Sequence, residues 1–213
     1  MTAQALHNRG FTVLAACLTD KSKGFRSLSQ MNIKTLEFDV TKEEQIISAK
    51  TNVQNYLKET NSQLWALVNN SGLFGFGYNE WGDMNDLKKI LEVNVIGMVR
   101  VSRHFLPLIR KSKGRVVNMG SCAGRFTLPN LSFYSMSKHA VIAFSDGLRR
   151  EMFGWDVKVI TIEPQAYQSV LCSSKQLFKY ISIDYLLEQN SDVRRRDGYL
   201  FASGCLESVD TRG

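Results

Sequence analysis

Leu64-Trp-Ala-Leu-Val-Asn-Asn-Ser-Gly72 is the stretch that decides the fold. Its apolar half has no polar alternation, as expected of a strand covered on both faces, and sheets covered on both faces are the parallel ones. Its polar and glycine half follows at once, as expected where a parallel strand empties into a ligand crevice. Upstream and downstream the apolar periodicity alternates between helix and strand. The spacing predicts a helix near Thr2 to Arg9, a strand Thr12 to Ala16, a strand Lys34 to Phe38 and a helix Lys42 to Glu59. Beyond Leu64 to Val68 it predicts a helix from about Asp86 to Arg110, a strand Arg115 to Met119, a helix Tyr134 to Phe153 and a strand Val157 to Ile162. Alternation of this kind implies an α/β fold, a doubly wound parallel sheet with helices on both faces.

Composition narrows the class. The 213 residues are 44% hydrophobic, enough for one domain with a sizeable core and too many for a disordered chain. Lys and Arg exceed Asp and Glu, 27 against 20, for a net charge of +7 that suits anionic partners such as a dinucleotide. The positive charge is dispersed, and the one tight basic run, Arg194-Arg-Arg196, is that of a solvated face or tail, so nucleic acid ranks last among partners. Cys17, Cys122, Cys172 and Cys205 show neither paired spacing nor a zinc pattern, which suits free thiols in a reducing compartment and no metal. No apolar run reaches the length of a spanning helix, and the chain as given reads as soluble and intracellular.

The chemistry lies in Tyr134-Ser-Met-Ser-Lys138, with Ser121 upstream at the end of the apolar segment Arg115-Val-Val-Asn-Met119. A helix puts residues i and i+4 on one face, so Tyr134 and Lys138 point the same way. A lysine ammonium within a few ångströms favours the phenolate, which would let Tyr134 act as general acid and base near neutral pH. Ser121 would hydrogen-bond the oxygen on which charge develops. Bland alternatives stand beside these roles. Ser121 fits a small-residue turn, Gly120-Ser-Cys-Ala-Gly124. Asn94 fits a satisfied buried amide, and Asp39 fits a cap for the helix that starts near Thr41 to Glu43.

Taken in order, Val13-Leu-Ala-Ala-Cys-Leu-Thr19, Asp39-Val-Thr41, Asn69-Asn-Ser-Gly72, Glu92-Val-Asn-Val-Ile-Gly97, Gly114-Arg-Val-Val-Asn-Met-Gly-Ser121, Tyr134-Ser-Met-Ser-Lys138, Phe144-Ser-Asp-Gly-Leu-Arg-Arg-Glu151 and Val157-Lys-Val-Ile-Thr-Ile-Glu-Pro164 resemble the short-chain dehydrogenase/reductase superfamily. Within it they resemble the branch of retinol dehydrogenases and 17-beta-hydroxysteroid dehydrogenases. The resemblance covers roughly residues 3 to 170 and implies a Rossmann-like fold. It also implies an oxidoreductase that interconverts a lipophilic alcohol, a retinoid or hydroxysteroid, and its carbonyl with a nicotinamide cofactor. By resemblance the catalytic set is Asn94, Ser121, Tyr134 and Lys138, with Asn94 holding a water that joins Lys138 to solvent. Cofactor contacts would come from Asp39 at the adenine, Asn69 beside the central strands, Tyr134, Lys138 at the nicotinamide ribose, Pro164 and Ser169. Asp20 would accept from a ribose hydroxyl, whereas Lys21 and Lys23 would meet a phosphate; NAD is the reading adopted, with NADP the alternative. The two long helices resemble those through which the superfamily forms homo-oligomers. Relatives in the branch are often attached to the endoplasmic reticulum membrane, which leaves membrane association and location open here.

The chain departs from the family at both ends. The family's first strand and its Thr-Gly-x-x-x-Gly-x-Gly turn would precede Ala3 to Gly10, and nothing is expected to replace them. Gly72-Leu-Phe-Gly-Phe-Gly77 has the glycines but no helix start behind it, so it is expected to be an aromatic loop beside the substrate and not a phosphate cradle. In the strand order 3-2-1-4-5-6 the missing strand sits between strands 2 and 4, and its loss would leave a gap of about 9 to 10 Å. The expectation is an N-terminally truncated form in which strands detach or the sheet closes abnormally, with weakened cofactor binding. The rival function is therefore a catalytically inactive isoform or fragment that partners a full-length relative. Pro164-Gln165 stands where the family has Pro-Gly, and the resemblance fades after Val170. The division expected is a Rossmann-like domain over 1–170 and a shortened, divergent substrate region over 171–213.

Overall fold

A computed structural model describes residues 2–77, 79–80, 82–165 and 198–203. The chain opens with α1 (Thr2–His7), β1 (Thr12–Cys17), α2 (Lys23–Gln30), β2 (Lys34–Glu37), α3 (Glu43–Glu59) and β3 (Gln63–Asn69). It continues with α4 (Met84–Leu91), a π-helical turn (Glu92–Gly97), α5 (Met98–Lys111), β4 (Arg115–Met119), α6 (Ser132–Met152), β5 (Lys158–Ile162) and β6 (Gly198–Ser203). All strand pairs are parallel and form one sheet of order β2-β1-β6-β3-β4-β5. The doubly wound α/β fold is therefore as the alternation implied.

The sheet is buried on both faces because successive strand residues enter opposite cores. Leu14 and Ala16 of β1 join Leu67 of β3 and Val116 of β4 under Ile46, Val53, Phe105, Ile109 and Leu148. Val13, Ala15 and Cys17, with Val68 and Val117, face the other way against Leu6 of α1 and Leu28 of α2. Short polar signals set the helix starts. The Ser22 hydroxyl accepts from the Phe25 N–H at 3.0 Å ahead of α2, and the Asp83 carboxylate accepts from the Asn85 N–H at 2.8 Å ahead of α4. Glu43 and Glu44 in the first turn of α3 and Lys58 in its last suit the helix dipole.

Two departures from the sequence expectations matter for the site. The helix expected over Asp86 to Arg110 is interrupted by the π turn, an insertion that helices tolerate mostly at functional sites. Close packing accompanies it: a Cβ on Gly97 would lie 2.7 Å from Val40 Cγ2 and 3.1 Å from the Val40 carbonyl oxygen. The second departure is β6. Where a gap or detached strands were expected between β1 and β3, this late strand pairs with both, Ala15 and Val68 meeting Ala202, Ala16 and Asn69 meeting Ser203. Residues 198–203 thus belong to the same sheet as the strands of the 1–170 region, and that sheet is continuous.

Candidate active site

The carboxyl edges of β3 and β4, the π turn and the first turns of α6 bring the expected residues together. Ser121 lies next to Tyr134, close enough for its side chain to lower the tyrosine's pKa. Ser121 is held in turn, its hydroxyl accepting from the Ala123 N–H at 3.2 Å, the turn role of its small-residue reading. Lys138 is 7% exposed and donates from Nζ to the Met119 carbonyl at 2.8 Å, with Nζ 5.6 Å from the centre of the Tyr134 ring. Two of its three donors are uncommitted among the described residues.

Electrostatics differ from the sequence expectation of a lowered tyrosine pKa. Burial raises the Tyr134 pKa above its ordinary value, and the Ser121 side chain offsets this in part. Burial also lowers Lys138 from 10.5 to about 8, so its ammonium is poorly stabilised where it sits. With Nζ drawn to the Met119 carbonyl, the cation does not counter the desolvation of the phenolate.

Asn94 is buried and clamps a backbone. Its Oδ1 accepts from the Leu73 N–H at 2.6 Å and its Nδ2 donates to the Leu73 carbonyl at 2.9 Å. Nδ2 also donates to Ser137 Oγ at 3.0 Å, and that hydroxyl donates to the Tyr134 carbonyl at 2.6 Å. The satisfied-amide reading thus describes its side chain, and the amide fixes the loop after β3 to the first turn of α6. Gly72 passes close to both groups: a Cβ there would touch Asn94 Oδ1 at 3.4 Å and Lys138 Nζ at 3.8 Å. Next in the loop, the Phe74 ring lies 5.0 Å from the Tyr134 ring. The loop is tied onward by the Gly77 N–H donating to the Asn130 carbonyl at 2.9 Å. Phe74, Phe76, Phe126, Leu128 and Met136 are exposed on this loop, the segment before α6 and its first turns, an apolar rim. No helix follows Gly72 to Gly77 until α4, whose start carries Asp83, so this loop offers no helix start to a phosphate.

The remaining expected residues divide. Asn69 is buried, and its Nδ2 donates to Ser102 Oγ and to Asn118 Oδ1, both at 2.8 Å; Asn118 continues to Ser145 Oγ at 2.9 Å. This polar thread joins β3 and β4 to α5 and α6. Asp39 Oδ1 accepts from the Thr41 N–H at 2.8 Å, a bond within the turn ahead of α3; the cap position expected of Asp39 falls to Lys42, which makes no side-chain cap bond. The Pro164 carbonyl accepts from the Cys122 N–H at 3.0 Å, and Arg125 grips Glu163 through two bonds of 2.8 and 2.7 Å, fixing the exit of β5 against the segment after Ser121. Ser169 lies outside the described residues, as do Tyr78 and Trp81. Sequence reasoning missed Ser137, Asn118 and the Arg125–Glu163 pair. An asparagine inside the apolar run Arg115 to Met119 was a signal for the second, because an amide buried there must find partners.

Residues 1–177 match the family model described as short chain dehydrogenase. The chain is a member of the short-chain dehydrogenase family. Within this family it is retinol dehydrogenase-like, being 42% identical to retinol dehydrogenase 7 of Mus musculus over 194 residues, 90% of this chain and 59% of that protein. It is 42% identical to the mitochondrial D-beta-hydroxybutyrate dehydrogenase of Rattus norvegicus over 168 residues, 76% of this chain and 49% of that protein. A short-chain dehydrogenase from Streptomyces avermitilis superposes with a TM-score of 0.77 at 22% identity, covering 95% of this chain and 83% of that one, a likeness of fold. This short-chain dehydrogenase spans about half to two thirds of the length of the curated relatives that it matches.

Proposed function

We propose that the chain is a nicotinamide-dependent oxidoreductase that interconverts a lipophilic alcohol and its carbonyl. The observation that carries this reading is the placing of Tyr134 next to Ser121 and beside the buried Lys138, whose Nζ lies 5.6 Å from the centre of the Tyr134 ring. Family membership agrees with it. The residues present fit a nicotinamide cofactor at its ribose end, where Lys138 has donors to spare. Lys138 would hold the ribose, with Pro164 and Ser169 at the nicotinamide and Asp39 at the adenine; Asn69 would keep the neighbouring strands rigid. When bound, the nicotinamide supplies or accepts the hydride.

The chain's own residues manage the proton and the oxygen. Ser121 donates a hydrogen bond to the substrate oxygen and holds it beside the Tyr134 hydroxyl. In reduction Tyr134 gives its proton to that oxygen; in oxidation it takes the proton of the alcohol. A raised Tyr134 pKa keeps the hydroxyl protonated at neutral pH, which is the form that reduction needs. Asn94 positions the Leu73–Phe74 loop and, through Ser137, the start of α6.

The finer reading is a retinoid or hydroxysteroid as substrate, because Phe74, Phe76, Phe126 and Leu128 offer apolar surface next to the reacting hydroxyl. NAD is favoured over NADP by Asp20, which follows β1. The proposed organisation is a dehydrogenase domain built from residues 1–170 together with β6, assembled as a homo-oligomer through the long helices. No helix of the described residues is long and apolar enough to cross a membrane. Calorimetric titration of the folded chain with NADH and NADPH tests the proposal. Micromolar binding with NADH preferred is expected. A folded chain that binds neither refutes it and leaves a non-catalytic partner of a longer relative.

A further inference from the structure

Among the described residues, the two halves of the sheet are joined strand to strand only through β6. β1 has β2 and β6 as neighbours, and β3 has β6 and β4. Without β6 the ladder would break into a two-stranded and a three-stranded piece, separated by about two strand spacings, roughly 9 to 10 Å. In the doubly wound order 3-2-1-4-5-6, β2, β1, β3, β4 and β5 hold places 3, 2, 4, 5 and 6, which leaves place 1 to β6. That place borders the switch point where dinucleotides lie at the carboxyl ends of the strands. β6 enters it parallel to its neighbours, so Ser203 ends level with Ala16 and Asn69, at the same edge as Ser121 and Lys138.

We propose that β6 is a completion strand: it takes the central place that the first strand holds in the family order, and the dinucleotide crevice forms only when β6 is inserted. The coupling to the crevice rests on the oxidoreductase reading; the strand assignment does not. Two features of the sequence agree. Gly198-Tyr-Leu-Phe-Ala-Ser203 has the short apolar run of a fully buried strand, bounded by glycine on each side through Gly204. Ser203-Gly204 also matches the hydroxyl-glycine pair that opens the family's turn, although Ser208 and Asp210 stand where its later glycines would be. Connection length permits insertion within one chain. Residues 166–197 reach up to about 100 Å when extended, against a return path of about 25 Å from the end of β5 to the start of β6.

Amide hydrogen exchange on the full chain, with and without NADH, tests the inference, together with Phe201→Pro, which removes a ladder donor from a central strand. Leu200 to Ser203 should be protected as strongly as Val13 to Ala16, and Phe201→Pro should lower protection in β1 and β3 by at least about tenfold and NADH affinity by a similar factor. Phe201→Ile should keep both. Exchange of Leu200 to Ser203 at the rate of an unprotected chain would overturn the proposal, even if Phe201→Pro failed to fold. Unchanged protection and NADH affinity in a folded Phe201→Pro chain would overturn it as well. Protected β6 amides in a chain that binds no NADH would uphold the strand assignment and overturn the oxidoreductase reading with its coupling.

Discussion

Replacing Lys138 by methionine should stabilise the fold near neutral pH while abolishing turnover, and the gain should vanish as the pH rises. Lys138 is buried, and burial brings its pKa from 10.5 to about 8. The folded chain therefore disfavours the charged form by about 3 kcal/mol, since each pKa unit is worth about 1.4 kcal/mol. Below about pH 8 folded and unfolded chains both carry the proton, so the full cost falls on the folded state. Between about 8 and 10.5 the unfolded chain carries the proton and the folded chain has lost it, so raising the pH favours folding. From about pH 7 to about pH 9.5 the parent should gain about 2 kcal/mol relative to Lys138→Met. At about pH 7 the variant's advantage should be about 1 to 2 kcal/mol, because the Met119 carbonyl loses its donor and takes back part of the gain. Urea denaturation of both chains at the two pH values reads this difference. A stability difference that stays flat with pH, or a parent that weakens against the variant as pH rises, would refute the reasoning.

Three further outcomes follow from the site. Asn94→Ala removes the hydrogen bonds to Leu73 and Ser137 and leaves the Leu73 backbone groups without that partner, at a cost of about 2 to 4 kcal/mol in urea denaturation; a loss below about 0.5 kcal/mol would contradict the clamp. Phe74→Ala should raise KM for a retinoid or steroid about tenfold with kcat little changed, as lost apolar contact predicts. Because burial raises the Tyr134 pKa, alcohol oxidation should climb as pH rises above neutral while carbonyl reduction holds near neutral; an oxidation rate that falls over that range would speak against Tyr134 as the base.

Much of this protein was legible in its sequence because its signals are local. The run Leu64 to Val68 marks β3 (Gln63–Asn69), and the i, i+4 spacing of Tyr134 and Lys138 places both on α6. What escaped reading depends on partners distant in the chain. α2 is short and polar, with one buried residue, Leu28, so few apolar residues mark it in the sequence beside the Ser22 cap. The π turn is invisible in a 3.6-residue pattern, because its extra residue is accommodated by packing against Leu73 and Val40. β6 carries an apolar run of its own, but its place in the sheet is set by β1 and β3, far back in the sequence. The lysine's effect on the tyrosine also escaped. It depends on where Nζ points, and Nζ points to the Met119 carbonyl.

The central claim is that Tyr134 moves the proton in a nicotinamide-dependent reaction. Its most direct test follows NADH formation when the chain is mixed with NAD and a retinol or hydroxysteroid, beside the Tyr134→Phe variant. The parent should form NADH, and the variant should fall by about a hundredfold or more while its circular dichroism stays that of the parent. Equal NADH formation by both chains, or none by a folded parent, would contradict the account.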